Sequence, residues 1–192
     1  MGTQLGFYID QSQCTGCHTC VMACIDKNDL NPGIMYRRVI ESCGGSFAPF
    51  GDAYTNNVFA YWTSISCNHC AEPKCVANCP TGAMHKRDKD GVVMVDTDKC
   101  VGCRYCTWSC PYGAPQYNEE EGKMSKCDFC IDLIEKGENP ACVDACPYHV
   151  IEYGPIDELR KKYGDLADIR DFPSSKITKP NIIFKPHKGA EK

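Results

Sequence analysis

The apolar positions of this chain come in short runs broken by cysteine, glycine and proline, and never in a long periodic stretch. Residues 6–10 (Gly-Phe-Tyr-Ile-Asp) predict a short strand. Residues 21–28 predict a short helix, stopped by Asn31-Pro32-Gly33. A strand is expected over 35–41, with Gly44-Gly45 and residues 49–52 as loops around it. Residues 58–65, Val-Phe-Ala-Tyr-Trp-Thr-Ser-Ile, are rich in aromatic and β-branched side chains and predict another strand. Residues 83–87 and 92–96 flank a turn ending in Asp90-Gly91, a hairpin signal. Residues 131–136 predict a short helix ended by Gly137, and Gly154-Pro155-Ile156-Asp157 opens another. Beyond Arg170 the chain is rich in Pro, Lys and Ser and reads as an extended tail. Its Ile182-Ile183-Phe184 is too apolar for a free terminus, so a partner-bound tail is expected. No run approaches the roughly 20 apolar residues that span a bilayer.

Cysteine is what interrupts this pattern. Cys14, Cys17, Cys20 and Cys24 form a C-x2-C-x2-C-x3-C run, and Cys100, Cys103, Cys106 and Cys110 form a second, followed by Pro111. Two variants widen one gap. Cys67, Cys70, Cys75 and Cys79 precede Pro80, and Cys127, Cys130, Cys142 and Cys146 precede Pro147. Such runs are the bacterial-type ligand pattern of [4Fe-4S] clusters. Three thiolates at two-residue gaps wrap one cubane. The fourth follows at helical spacing, points away from that loop and can serve a neighbouring cluster. The proline removes a donor and turns the chain. Cys43 stands alone and reads as a small residue without a ligand role. The segments after Cys-Pro resemble one another (Thr81-Gly-Ala-Met-His, Tyr112-Gly-Ala-Pro-Gln, Tyr148-His-Val-Ile-Glu), an internal repeat that points to two duplicated halves.

Composition narrows the chemistry. The chain has 192 residues, 43% of them hydrophobic, but that share includes 17 cysteines. If most cysteines hold metal, the apolar core is thin and clusters take over part of its role. Disulfides suit small secreted domains, yet the start Met1-Gly2-Thr3-Gln4-Leu5-Gly6 lacks a signal-peptide pattern and the cysteines are regularly spaced. Zinc sites pair C-x2-C motifs and do not call for the triplet with its trailing cysteine. A zinc-binding interaction module is the rival from another class. A net charge of −4 argues against nucleic acid as a partner. No G-x-G-x-x-G or P-loop is present to support a self-contained redox enzyme. Arg37-Arg38 lies inside the domain and is not read as a targeting signal.

The groups, their gaps and their linkers resemble the four-cluster ferredoxin subunits of bacterial molybdopterin oxidoreductases, in particular the iron–sulfur (B) subunits of the dimethyl sulfoxide reductase family. The resemblance covers almost the whole chain. It is carried by Ser64-Ile-Ser-Cys67-Asn-His-Cys70, residues 82–87 (Gly-Ala-Met-His-Lys-Arg), Gly102-Cys103-Arg104-Tyr105-Cys106, residues 110–117 and residues 154–162. It implies an α+β fold of duplicated bacterial-type ferredoxin folds, two two-cluster halves, over residues 1–154. An insertion about 31–57 separates the first and second groups, and a short helix with an extended partner-binding tail covers 155–192. It implies crossed ligation: Cys14, Cys17, Cys20 with Cys146; Cys127, Cys130, Cys142 with Cys24; Cys67, Cys70, Cys75 with Cys110; Cys100, Cys103, Cys106 with Cys79. The related nitrate reductase subunit has tryptophan at the second position of the third group and a [3Fe-4S] cluster there. Here that position is Cys103, so four [4Fe-4S] clusters are expected.

The implied role is electron transfer between a quinol-oxidising membrane anchor and a molybdopterin-containing catalytic subunit, with no substrate chemistry on this chain. Dimethyl sulfoxide is the favoured terminal acceptor; subunits of selenate, polysulfide or tetrathionate enzymes are similar. Membrane association is expected through a partner, the extracytoplasmic face being favoured. Arg104, Lys99 and Lys126 adjoin ligands and read either as tuners of potential or as surface charges. His85 reads as structural. Tyr105 and Trp108 read as a cluster shield or a partner contact.

Overall fold

A computed structural model of the chain describes residues 2–190. In chain order, β1 (Leu5–Asp10) leads into the first ligand loop, and α1 (Thr19–Lys27) follows it. Then come β2 (Arg38–Gly44), β3 (Phe47–Phe50), β4 (Ala53–Asn56) and β5 (Phe59–Ile65). The second ligand loop ends in α2 (Lys74–Ala77), followed by β6 (Met84–Lys86) and β7 (Val93–Val95). The third ends in α3 (Tyr105–Ser109), followed by β8 (Gln116–Asn118) and β9 (Lys123–Ser125). The fourth contains α4 (Ile131–Ile134) and ends in α5 (Ala141–Asp144). β10 (Ile151–Pro155), α6 (Ile156–Tyr163) and β11 (Ile182–Lys185) follow, with short 3-10 turns at Ser175–Ile177 and Lys188–Ala190.

The main sheet has the order β10-β1-β11. β1 runs antiparallel to β10, with Phe7 opposite Tyr153, and parallel to β11, with Tyr8 opposite Ile183. Its apolar run is buried on both faces: Phe7 and Ile9 join the larger core, and Tyr8 packs with Ile156, Leu159 and Ile183. Gly6 has no room for a side chain, since a Cβ would meet Ile156 Cδ1 at 2.5 Å and Asn181 O at 2.7 Å. The Asp-Gly hairpin forms as β6–β7, with Met84 opposite Val95.

The insertion is more ordered than the expected loops around one strand. β2 pairs with β5 over seven residues, Arg38 opposite Ile65 to Gly44 opposite Phe59. β3 and β4 form a separate hairpin turning at Gly51-Asp52, where loops were expected, and all its residues are exposed. Trp62 of β5 lies over the first ligand loop, close enough that a Cβ on Gly16 would meet its ring at 2.6 Å.

The C-terminal segment folds back on the rest of the molecule. Ala71 N and Glu72 N donate to the carbonyls of Lys179 and Thr178, and Asn181 Nδ2 donates to His69 O at 2.7 Å. The segment therefore straps the second ligand loop and continues as β11. Ile182, Ile183 and Phe184 are all buried in the chain's own core. Among the described residues, no helix is long and apolar enough to cross a membrane.

Candidate iron–sulfur centres

Every ligand group is built by the same local devices. The residue before its second cysteine has a left-handed backbone: Gly16 (φ 70°), His69 (φ 40°), Gly102 (φ 67°) and Phe129 (φ 69°). Glycine adopts this freely; for His69 and Phe129 it costs about 1–2 kcal/mol each. Both are essentially fully buried, so packing holds them there. The third cysteine sits on the first turn of a helix: Cys20 on α1, Cys75 on α2, Cys106 on α3 and Cys142 on α5. The fourth lies about one helical turn further on, beyond the loop of its own group. The widened gaps fall before the helix and leave both devices intact, α4 filling part of the longer one.

The thiols converge on separate spaces. Cys14, Cys17, Cys20 and Cys146 line one cavity. Cys24, Cys127, Cys130 and Cys142 line a second. Cys79, Cys100, Cys103 and Cys106 line another. Cys67, Cys70, Cys75 and Cys110 form the remaining set: Cys67 and Cys110 both act electrostatically on Cys70 and Cys75. The sets lie in a row. Cys20 is influenced by Cys142 of the second set, Cys127 of that set by Cys67, and Cys75 shares a core cluster with Cys100 and Cys106. We number the sets one to four along this row, from the Cys14 set through the Cys24 and Cys67 sets to the Cys79 set.

Burial, with mutual repulsion behind it, makes several of these thiols poor acids on their own. Burial pushes Cys24, Cys70 and Cys75 up to about 12, with neighbouring thiolates adding to it. Cys106 and Cys130 are pushed up to about 11, burial leading in each case. Burial also drives Cys127 well above its usual value. The ends of the row differ. The Thr19 hydroxyl and N–H lower exposed Cys17. At Cys79 burial opposes the shift, but the Met84 N–H and the Thr81 hydroxyl outweigh it. Sulfur also accepts backbone N–H groups from Met124 to Cys100 and from Val150 to Cys146, each at 3.4 Å.

This donor set fits iron–sulfur clusters. All 17 cysteines are free thiols, and none is bonded to another. Among the described residues no group of three or more His, Cys, Asp or Glu side chains is placed to hold a single metal ion. The thiols instead surround spaces, as ligands of a cluster must. Buried thiolates that repel one another need a cationic core to balance them, which iron supplies.

The charged residues beside the ligands separate into two kinds. Lys99 is exposed and pairs with Asp96 at 2.7 Å. Arg104 is exposed and lies over the Tyr117 ring, 3.7 Å from its centroid. Lys126 is buried, its ammonium donating to Val93 O and, at 2.8 Å, to Cys127 O. His85 is exposed, with Nδ1 3.1 Å from Ala83 O. Tyr105 and Trp108 are exposed and border a surface depression with Ala77, Asn78, Cys79, Pro80 and Ser109. Cys43 is exposed on β2 and belongs to none of the thiol sets.

Two buried polar side chains escape a reading of the sequence. His69 has no exposed surface; Nδ1 accepts the Val93 N–H at 3.0 Å, and burial pushes its pKa well below the usual value, so it is neutral. Arg37 is 1% exposed and lines the second cavity. The only sequence signal for either is proximity to cysteine or to another arginine.

Comparison with known proteins points to iron–sulfur proteins as well. A family model described as a 4Fe-4S dicluster domain matches residues 58–156. The B chain of the anaerobic dimethyl sulfoxide reductase of Escherichia coli K12 is 55% identical over 187 residues, covering 97% of this chain and 91% of its own. The B subunit of sulfite dehydrogenase from Allochromatium vinosum is 40% identical, covering 81% and 70%. The beta subunit of chlorate reductase from Ideonella dechloratans is 28% identical, covering 95% and 77%. By sequence, this chain therefore belongs to the 4Fe-4S dicluster family, with the iron–sulfur B subunits of the dimethyl sulfoxide reductase family.

Proposed function

We propose that the chain is an electron-transfer subunit that holds four [4Fe-4S] clusters in a row. Their ligands are Cys14, Cys17, Cys20 and Cys146; Cys24, Cys127, Cys130 and Cys142; Cys67, Cys70, Cys75 and Cys110; and Cys79, Cys100, Cys103 and Cys106. The observation that carries this reading is the convergence of four cysteines from two distant groups in each set. The repeated loop turn and helix support a duplicated ferredoxin architecture, with the first and fourth groups forming one half and the second and third the other.

Each cluster, when bound, supplies a one-electron couple; the protein sets its surroundings. The middle sets are the better shielded. All four thiols of the second set are buried, whereas the first and fourth sets each have one exposed thiol, Cys17 and Cys103. Electrons therefore enter and leave at the ends of the row, and partners dock there. Exposed Tyr105 and Trp108 at one end and Tyr148 at the other offer contact area.

The partners are a molybdopterin-containing catalytic subunit and a quinol-oxidising membrane anchor. The anchor holds the chain at the membrane, on the extracytoplasmic face. Dimethyl sulfoxide or a related oxidised compound is the terminal acceptor, and the catalytic partner chooses among these.

The test separates the two ends of the path. Cys103→Ser in the assembled complex should lose quinol-driven turnover while an artificial donor acting nearer the catalytic subunit still supports it. Quinol-driven turnover that survives with the cluster lost would contradict an obligatory relay.

A further inference from the structure

Arg37 stands out among the buried side chains. It is 1% exposed, and among the described residues no carboxylate pairs with it. A buried, unpaired guanidinium is costly, and Arg cannot escape the cost by losing its proton. Its partners are neutral: Nη1 donates to Ser64 Oγ at 3.0 Å and Nη2 to Ser66 Oγ at 3.1 Å, while the Phe7 ring lies 4.9 Å from Cζ. Nε is buried without a hydrogen-bond partner. Some other negative charge has to balance this cation.

That charge lies on both sides of it. Arg37 and Ser66 line the cavity of Cys24, Cys127, Cys130 and Cys142. Ser64 lines the cavity of Cys14, Cys17, Cys20 and Cys146, and its Oγ is 3.4 Å from Cys20 Sγ. Because Ser64 Oγ accepts from Arg37, its own proton is free to donate to that sulfur. The thiolates of Cys142, Cys20, Cys127 and Cys24 in turn favour the charged guanidinium against its burial.

We propose that Arg37 is the shared counter-charge of the first two clusters, acting on the first through Ser64 and on the second directly, and that it raises both reduction potentials. The inference rests on the four-cluster reading above. Reduction adds one negative charge to a cluster, and a fixed cation in a low-dielectric interior stabilises the reduced form more than the oxidised one. Arg37 is a positioning and tuning residue; it ligates nothing.

The test is an anaerobic redox titration of the full complex followed by electron paramagnetic resonance, with Cys17→Ser and Cys130→Ser identifying the first and second clusters. Wild-type protein without signals from these two sets sinks the four-cluster reading itself. With them present, Arg37→Gln should lower the reduction equilibrium constants of the first and second clusters at least tenfold, about 59 mV for a one-electron couple. The third and fourth clusters should stay at wild-type potential. Arg37→Lys, which keeps the charge, should restore most of the shift. Ser64→Ala should lower the first potential and spare the second. If Arg37→Gln fails to load the two clusters and Arg37→Lys loads them, the need for charge is supported. Wild-type potentials in Arg37→Gln, equal shifts in Gln and Lys variants, or failure of both to load would overturn the proposal in favour of a packing role.

Discussion

At Gly102 a Cβ would lie 2.4 Å from Gly122 O, on a backbone already at φ 67°. Gly102→Ala therefore costs about 1–2 kcal/mol in backbone energy, before the carbonyl has moved. The expected outcome is a selective loss of the cluster at Cys79, Cys100, Cys103 and Cys106, read as up to about four fewer irons per chain. Undiminished iron would contradict it. Lys126 is a second test at this scale. Lys126→Met leaves the carbonyls of Val93 and Cys127 without their donor and should lower the unfolding free energy by about 1–3 kcal/mol. Chemical denaturation of the loaded protein measures it. Sequence places Lys126, Lys99 and Arg104 in one class, because each adjoins a ligand. Only the three-dimensional structure separates them: Lys126 is covered by β7, which comes from the other side of the third ligand group. Arg37 is invisible in the sequence for the same reason. The thiolates around it come from segments around residues 20, 24, 127 and 142, which spacing alone does not bring together.

The elements repeat their logic across the chain, and that logic is partly legible in the sequence. The strands at β1 and β5, the β6–β7 hairpin and the helices α1, α4 and α6 follow from apolar runs, turn residues and caps. The hairpin β3–β4 does not, since Phe47, Pro49, Phe50 and Tyr54 are exposed and no apolar alternation marks a buried face. Phe50→Ser should change stability by less than about 0.5 kcal/mol and leave iron content unaltered. β11 is the opposite case. Its apolar residues are legible, but their destination is not, because parallel pairing with β1 spans nearly the whole chain. Phe184→Ala should cost about 3–5 kcal/mol. Asn181→Ala should loosen the strap over the second ligand loop, lowering occupancy of the cluster at Cys67, Cys70, Cys75 and Cys110 before the others. Metal content and spectroscopy of that centre measure this; equal losses at all centres would argue against a local strap.

On the scale of the molecule, the cysteines of the proposed centres are part of the core. Cys20, Cys142 and Cys146 belong to the largest apolar cluster, and Cys75, Cys100 and Cys106 to the next. Removing iron leaves mutually repelling thiols facing empty space, so chelation should abolish cooperative unfolding and not merely colour. On the proposed relay, electrons pass along the row of sets between its two exposed ends. Spacing locates the four groups; which fourth cysteine completes which set is implied by the family resemblance, and the fold brings three of those same sets to common cavities. The most direct test is anomalous diffraction at the iron edge from crystals of the anaerobically purified complex. Four four-iron sites in a row are predicted, each bounded by one of the thiol sets above, and none at Cys43. Three sites, a three-iron site beside Cys103, or a cluster held by all four cysteines of a single run would contradict the four-cluster relay.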